Sequence, residues 1–255
     1  MSVTANHIMP GFSLTNRMLL YASVLLAPAQ FAAGMHNNCP SNLGFLAYNL
    51  YNQILWFRAV RARRLHALCM ILPNFNLIYA FSFLGGITSG NVVMGVFLGL
   101  GTGGALLLNT ASAWISWTTN QPQGFGVYRF FFFGPRTLTA GWHRFMLYWQ
   151  IFDSILAVGF AVGAIVGAIA ISTKDDDRDD ESAWGRWFVT LLYIPLGAAL
   201  CLILVWPDVL WTEMIVARNH IVSDTDWIAV WLFVAQAVTM VAPPCTAYLG
   251  CLRRR

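Results

Sequence analysis

Charged residues are scarce in this chain: Asp, Glu, Lys and Arg together make up 10% of its 255 residues, against about 25% in a typical soluble domain. Lysine is almost absent, since Lys174 is the only one in the sequence. A retinal protein of the rhodopsin type is therefore excluded, because its Schiff base requires a lysine inside an apolar helix. The arginines occur in short clusters beside apolar runs, without a nucleic-acid-binding motif, so we expect no nucleic-acid partner.

Ligand sets for metals and phosphates are also missing. The five cysteines include no CxxC pair, which excludes the common thiolate zinc sites. The sequence contains no GxxxxGK[ST], HExxH or GxSxG motif, so it lacks the signatures of P-loop proteins, zinc proteases and α/β-hydrolases. The histidines are dispersed. We therefore expect no bound metal and no cofactor.

Long apolar runs are what the sequence has in abundance. Hydrophobic residues make up 58% of the chain, and its mean hydropathy is +0.60. A helix that crosses a hydrocarbon layer of about 30 Å needs about 20 mostly apolar residues. Five runs meet this requirement and are predicted spans: residues 65–85, 92–117, 145–171, 187–206 and 227–249. Two shorter apolar runs, residues 18–35 and 43–57, complete the prediction of an all-α, seven-span polytopic bundle, with residues 1–255 forming one domain.

The first apolar run has an alternative interpretation. Arg17 precedes it and the small residues Ala27 and Ala29 end it, as in a cleavable signal peptide. Pro28 and Gln30 fit a kinked span equally well, and we favour an uncleaved helix. More of the short-loop arginines lie on the N-terminal side of a seven-span arrangement than on the opposite side, which favours a cytoplasmic N-terminus.

Two segments are predicted to lie outside the membrane. Residues 173–186 form an acidic loop, whose aspartates lack the alternating ligand positions and the glycine of a calcium-binding loop. A run of like charges of this kind is typical of a solvated connector. Residues 251–255 form a basic C-terminal tail.

Asp153 is an acid within the longest apolar run. A carboxylate inside a bilayer costs about 2.5–3.5 kcal/mol or more, so it needs a partner, a cavity or a chemical task. With 100° per residue, it shares a helix face with Ala157, Phe160, Ala164 and Gly167, which indicates that it faces protein. The uncharged residues that follow are numerous enough to cross the bilayer alone, and an interfacial, hydrogen-bonded aspartate remains the alternative.

The same run repeats glycine at every fourth position, a pattern typical of close helix association in lipid. We predict helix–helix association through Gly159, Gly163 and Gly167.

Other polar residues near apolar runs are candidates for a site. Asp208 and Glu213 follow Pro207 among aromatic neighbours and are either cavity-facing acids or solvated interfacial ones. Four amides are candidate substrate-binding groups, or alternatively hydrogen bonds between helices: Asn49, Gln53, Asn74 and Asn76.

Sparse carboxylates combined with 11 Trp, 18 Phe and 8 Tyr favour acid-initiated isomerisation or cyclisation of a lipophilic substrate. A buried carboxylic acid can stay protonated and donate its proton to an alkene or epoxide, while aromatic faces stabilise a carbocation. Asp153, Asp208 and Glu213 are the catalytic candidates. In size and span layout, the chain resembles the small seven-span membrane-bound terpene cyclases of fungal meroterpenoid and indole-diterpene pathways. The resemblance implies a cyclase of secondary metabolism in the endoplasmic reticulum or another endomembrane.

Two other functions fit the same sequence. A small transporter or channel would use Asp153 and the amides as a proton or solute path. A non-catalytic membrane scaffold would use the glycine face for partners and the aromatic residues as interfacial anchors.

Overall fold

The computed structural model describes residues 6–7, 10–35, 39–62, 92–119, 129–131, 133–137, 139–172, 183–218 and 220–241. Helices make up 87% of the interpretable residues, so the all-α prediction is confirmed. The predicted span at residues 65–85, the aspartates of the acidic loop and the basic tail lie outside the described residues.

The described chain forms helices α1 (Leu14–Met35), α2 (Cys39–Arg61), α3 (Val92–Thr119), α4 (Ala140–Ser172), α5 (Ala183–Arg218) and α6 (Trp227–Val241). Because α5 begins at Ala183, the last four residues of the predicted acidic loop are helical. Prolines lie inside two helices, Pro28 in α1 and Pro195 and Pro207 in α5. All three lie beyond the first turn of their helix, and a proline at such a position removes a backbone hydrogen bond and favours a kink.

Four short strands accompany the helices: β1 (Asn6–His7), β2 (Arg129–Phe131), β3 (Pro135–Thr137) and β4 (Ile221–Val222). Strands β2 and β3 form an antiparallel hairpin, whereas β1 pairs in parallel with β4. The second pairing brings the N-terminal segment to the connection between α5 and α6. Gly11, at φ +104°, extends the attachment by donating its N–H to the carbonyl oxygen of Asp224 at 3.0 Å.

Helix α2 packs against α1, α3 and α6, while α5 packs on α1 and α4 packs on α3. Helices α1 and α2 form an antiparallel hairpin, in which Gln30 contacts Ser41 and Asn42 across the turn. Helix α6 runs parallel to α1, because Asn16 bonds to Asp226 and, further along both helices, Ser23 bonds to Gln236. The central unit of the fold is therefore the trio α1, α2 and α6.

Burial in this fold differs from that of a typical soluble protein. Large apolar side chains on the outer faces of α4, α5 and α6 are exposed, among them Ile155, Val166, Ile203, Trp231 and Val238. Beside its buried hydrophobic residues, the interior also holds many polar side chains, which are described with the site below. This distribution is the one expected when lipid, rather than water, surrounds the bundle.

Two of the described helices are long and apolar enough to cross a membrane by length and composition, at Val96–Ile115 and Ala140–Ala170. Helix α6 is apolar over the shorter range Trp227–Met240. Helices α1 and α2 have sufficient length, but their interior amides, hydroxyls and arginines lower their hydropathy.

Alanines, rather than glycines, form the packed face of α4. Ala157, Ala161, Ala164 and Ala168 are all buried, and the α3 residue Gly103 lies against this face, where an added Cβ would come within 3.3 Å of the Ala161 carbonyl oxygen. Alanines at this spacing therefore provide the close approach that glycines were expected to provide.

The glycines of α4 that were predicted to mediate association lie elsewhere on the helix. A Cβ added to Gly159 or Gly163 would meet nothing within 4 Å, and Gly167 is half-buried. Gly159 and Gly163 therefore do not pack α4 within the described chain. Their association with a helix of another molecule stays a prediction.

A close helix contact is testable at Gly44, where α2 crosses α6. A Cβ at this position would lie 3.0 Å from the backbone Cα of Gln236 and 2.5 Å from Thr239 Oγ1, so the two helices would have to separate. We expect Gly44→Ala to lower the free energy of unfolding by about 1–3 kcal/mol, as overpacking does. Denaturant unfolding of the protein in a bilayer mimetic measures this change.

Gly104→Ala is the matched control, because a Cβ there meets nothing within 4 Å. It should raise stability by up to about 1 kcal/mol through the better helix propensity of alanine. Equal effects of the two substitutions would contradict the crossing at Gly44.

Candidate functional site

An ion pair joins α1 to α5 at the end of the bundle where the N-terminal segment is attached. Arg17 Nε donates to Glu213 Oε1 at 2.7 Å, and its Nη2 donates to Oε2 at 3.0 Å. Arg17 is 8% exposed, whereas the side chain of Glu213 is 32% exposed. The two parallel bonds match the guanidinium fork to the carboxylate, which is the strongest geometry for such a pair.

Two further groups complete this cluster. Tyr21, one turn after Arg17, donates its hydroxyl to Glu213 Oε1 at 2.9 Å, and Arg17 Nη1 donates to the carbonyl oxygen of Phe12. Glu213 thus accepts three hydrogen bonds from α1. Donating a proton to a substrate would require these bonds to break, so the geometry suits Glu213 as an acceptor or counter-ion.

A second network lies beside the ion pair and is centred on Asp226. Its Oδ1 accepts the N–H of Ile228 at 2.9 Å and caps α6, and its Oδ2 accepts the hydroxyl of Tyr51 at 2.8 Å. The side-chain amide of Asn16 bonds both to the N–H and to the carbonyl oxygen of Asp226, at 2.9 and 3.1 Å. Helices α1, α2 and α6 therefore meet at one residue.

Polar side chains continue from this end through the interior of α1, α2 and α6. Midway, Ser23 Oγ lies 3.3 Å from Nε2 and 3.4 Å from Oε1 of Gln236. At the far end, Gln30 Nε2 donates to Ser41 Oγ and, at 3.1 Å, to Asn42 Oδ1. We call these groups the polar interior; its buried members are Asn16, Arg17, Ser23, Gln30, Ser41, Asn42, Asn49, Asn52, Gln53 and Gln236.

At the hairpin end of α1 and α2, two side chains of the polar interior each hold one atom without a hydrogen-bond partner. Gln30 Oε1 and Asn42 Nδ2 make no hydrogen bond. Both atoms are shielded from solvent, since Gln30 is 0% and Asn42 is 2% exposed. A buried polar atom without a partner costs about 1–3 kcal/mol. Each of these two atoms therefore carries a desolvation cost that no partner within the described chain offsets.

The three predicted catalytic acids do not form one described cluster. Glu213 lies in the ion pair, and Asp208 belongs to α5 but its side chain lies outside the described residues. Asp153 lies on α4, half-buried, and α4 packs on α3 rather than on the α1–α2–α6 trio. Their catalytic roles stay predictions.

The surroundings of Asp153 combine polar and aromatic groups. The next residue, Ser154, accepts the indole N–H of Trp114 at 2.8 Å and donates to the carbonyl oxygen of Gln150 at 2.6 Å. The predicted orientation toward protein agrees with the burial of Ala157 and Ala164 on the same face. Phe160, also assigned to that face, is 38% exposed, so the protein-facing stripe is narrower than predicted.

Of the four predicted substrate-binding amides, two lie in the described part of the chain and two do not. Asn49 and Gln53 are buried in α2, and Asn49 Nδ2 donates to the carbonyl oxygen of Phe45 at 2.9 Å. Asn52 repeats this bond with Tyr48 at 3.0 Å, so both asparagines use donor capacity within their own helix. Asn74 and Asn76 lie outside the described residues.

Several residues of the site were not selected from the sequence. Arg17 was considered only for topology and targeting, and Gln30 only for the signal-peptide question. Tyr21 and Gln236 carry no motif, and their partners are roughly 200 residues away in the chain. Asp226 precedes the last predicted span, which indicates the helix cap that the structure shows but not the bonds of Asp226 to Asn16 and Tyr51. One signal was present: Arg17 and Tyr21 are four residues apart and so share a helix face.

The described residues contain no group of three or more His, Cys, Asp or Glu side chains placed to hold a metal ion. Comparison with known proteins adds no assignment, since no family model, curated protein or solved structure matches the chain at a significant level. The candidate site therefore rests on its own geometry.

Removing one member of the ion pair should cost more than removing both charges. We expect Glu213→Gln to lower the free energy of unfolding by about 3 kcal/mol, the lower end of the range for breaking a buried pair, because Glu213 is one-third exposed. Arg17→Gln/Glu213→Gln should lose less than the sum of the single changes. Denaturant unfolding of all three variants measures the coupling.

Asp224→Asn provides a control carboxylate on the surface, and its effect should stay within about 0.5 kcal/mol. Additive effects of the two single substitutions at Arg17 and Glu213 would contradict the ion pair.

Proposed function

We propose that this chain is a multi-pass membrane protein that carries small, neutral, hydrogen-bonding solutes through the polar interior of α1, α2 and α6. The supporting observation is the series of buried amide and hydroxyl groups that lies between the Asp226 network and the Gln30–Asn42 contact. The seven-span arrangement, with residues 65–85 as a further span, belongs to this proposal.

The exposed faces support the membrane part of the proposal. Exposed apolar side chains on α4 and α6 would be unfavourable in water over so large an area, whereas lipid accommodates them. Aromatic residues lie where helices begin: Trp227 and Trp231 at the start of α6, and Trp142, Phe145 and Trp149 at the start of α4. Tryptophan is enriched at membrane–water interfaces, so these residues are suited to mark its boundaries.

The composition of the interior supports transport over lipophilic catalysis. The described buried residues include 15 polar or charged ones beside 21 hydrophobic ones, whereas a site that cyclises a hydrocarbon needs an apolar, aromatic-lined cavity. Between the two ends, the polar interior contains amides and hydroxyls but no described carboxylate. Groups that both donate and accept suit neutral solutes, since an ion would require compensating charge.

Solute flux into proteoliposomes tests the proposal. The full chain is reconstituted, and uptake of radiolabelled glycerol, urea and acetamide is compared with protein-free vesicles. We expect Gln236→Met to lower the flux about tenfold, because losing one hydrogen bond of about 1.4 kcal/mol in the transition state gives that factor. Reconstituted protein is quantified so that rates are compared per molecule.

Val238→Met is the matched control, since Val238 lies on the same helix but is 62% exposed on its outer face. It should leave the flux unchanged. Wild-type uptake no faster than that of protein-free vesicles for all three solutes would contradict the proposal, and a stable co-purifying partner without flux would favour a scaffold.

Asp153 favours a second candidate, the acid-initiated cyclase. It lies one turn beyond a series of aromatic rings, in which the ring centroids of Trp142 and Phe145 are 5.6 Å apart and those of Phe145 and Trp149 are 6.5 Å apart. A lipophilic substrate entering from the bilayer would meet these rings before the carboxyl group. For this candidate, an endomembrane location follows from the resemblance in size and span layout.

Turnover of prenylated epoxides by membranes containing the protein tests this candidate. We expect Asp153→Asn to reduce product at least about tenfold, within the range of general acid catalysis. Asp224→Asn, a change at an exposed acid outside the helices, should leave the amount of product unchanged. The variants Asp208→Asn and Glu213→Gln test whether either of these acids also contributes. Undiminished product in Asp153→Asn would eliminate Asp153 as the acid.

A further inference from the structure

We propose that Gln30 and Asn42 form a binding subsite for a neutral group that carries an acceptor and a donor side by side, as a primary carboxamide does. The subsite lies between α1 and α2 at the hairpin end of the polar interior. It deepens the proposed transport function, but its test measures binding alone.

The two side chains present complementary unused atoms. Gln30 Oε1 is an acceptor and Asn42 Nδ2 is a donor, and neither makes a hydrogen bond, although the two amides are joined by the 3.1 Å bond from Gln30 Nε2 to Asn42 Oδ1. Turning both amides over together exchanges these roles and again leaves one donor and one acceptor. A ligand carbonyl would accept from Asn42, and its N–H would donate to Gln30.

Solvent does not satisfy these atoms in this conformation, because each has almost no accessible surface. A ligand must therefore separate α1 from α2 locally before it binds. The opposite end resists such a separation, since the bidentate pair between Arg17 and Glu213 and the bonds of Asn16 and Tyr51 to Asp226 join four helices there. Opening is accordingly expected at the hairpin end.

Thermal unfolding in nanodiscs with acetamide as the probe tests the subsite. Acetamide should raise the unfolding temperature of the wild type in a concentration-dependent way relative to Gln30→Met/Asn42→Leu, in which both amides are replaced by side chains of similar shape. N,N-dimethylacetamide, which keeps the carbonyl but lacks N–H donors, should give a smaller shift. Equal responses of wild type and double variant to acetamide would overturn the proposal.

The stability of the variants without ligand gives a second measurement. Gln30→Met/Asn42→Leu removes unpartnered buried atoms and should unfold at a temperature equal to or above that of the wild type. Gln236→Met removes an amide that is hydrogen-bonded to Ser23 and should unfold at a lower temperature. A double variant that is less stable than Gln236→Met, or fails to fold, would show that the two amides are satisfied and would contradict the subsite.

These outcomes are separable from those of the flux experiment. Acetamide binding without flux would retain the subsite and contradict transport. The double variant Gln30→Met/Asn42→Leu could keep its flux and lose its stabilisation by acetamide. That result would support both the transport function and the binding subsite, and it would show that transport does not depend on the subsite.

Discussion

The ion pair between Arg17 and Glu213 is the interaction on which the arrangement of this bundle depends. It joins helices that are about 200 residues apart in sequence, and it does so at the point where the N-terminal segment, the α5–α6 connection and α2 also meet. An arginine as buried as Arg17 is unfavourable without compensation. Its two bonds to the carboxylate and one to the Phe12 carbonyl oxygen provide that compensation, and they orient α1 for the contacts that follow along its length.

Those contacts have a common physical logic. In an apolar environment, every buried polar group needs a partner within the chain. Asn49 and Asn52 satisfy donors within their own helix, Asn16 and Tyr51 converge on Asp226, and Ser23 bonds to Gln236. At the other end of the bundle, Gln30 and Asn42 each keep one buried atom without a hydrogen-bond partner. The bidentate ion pair and the bonds to Asp226 join four helices at one end of the bundle, and the proposed solute site lies at the other end.

The sequence predicted the class of fold because hydropathy and helix length are local properties. The apolar run at residues 145–171 is described as part of α4, and the run at residues 187–206 lies within α5. The sequence did not predict which side chains form hydrogen bonds with each other in the folded protein. Arg17 and Glu213 are joined only by the tertiary fold, so neither spacing nor composition could pair them. Glu213 was singled out as a candidate catalytic acid, which stays a prediction, and its three hydrogen bonds from α1 could not be foreseen.

Helix faces show a second limit of the sequence pattern. Helix α4 contains two small-residue series, one of glycines and one of alanines, and both satisfy the spacing for close packing. The shape of α3 decides between them: Ile165 and Ala161 meet Gly103, which places the alanine series at the contact and leaves Gly159 and Gly163 outside it. The spacing within α4 alone does not show which series packs, because the contact also depends on the surface of α3.

Labelling of the protein by a lipid-soluble, photoactivated carbene reagent in intact membranes tests the central claim most directly. If lipid surrounds the bundle, label should appear at Ile155, Val166 and Val238 on the outer faces and be absent from Ser23 and Gln236 in the polar interior. Label confined to the interior, or outer faces that react only with a water-soluble reagent, would contradict the account.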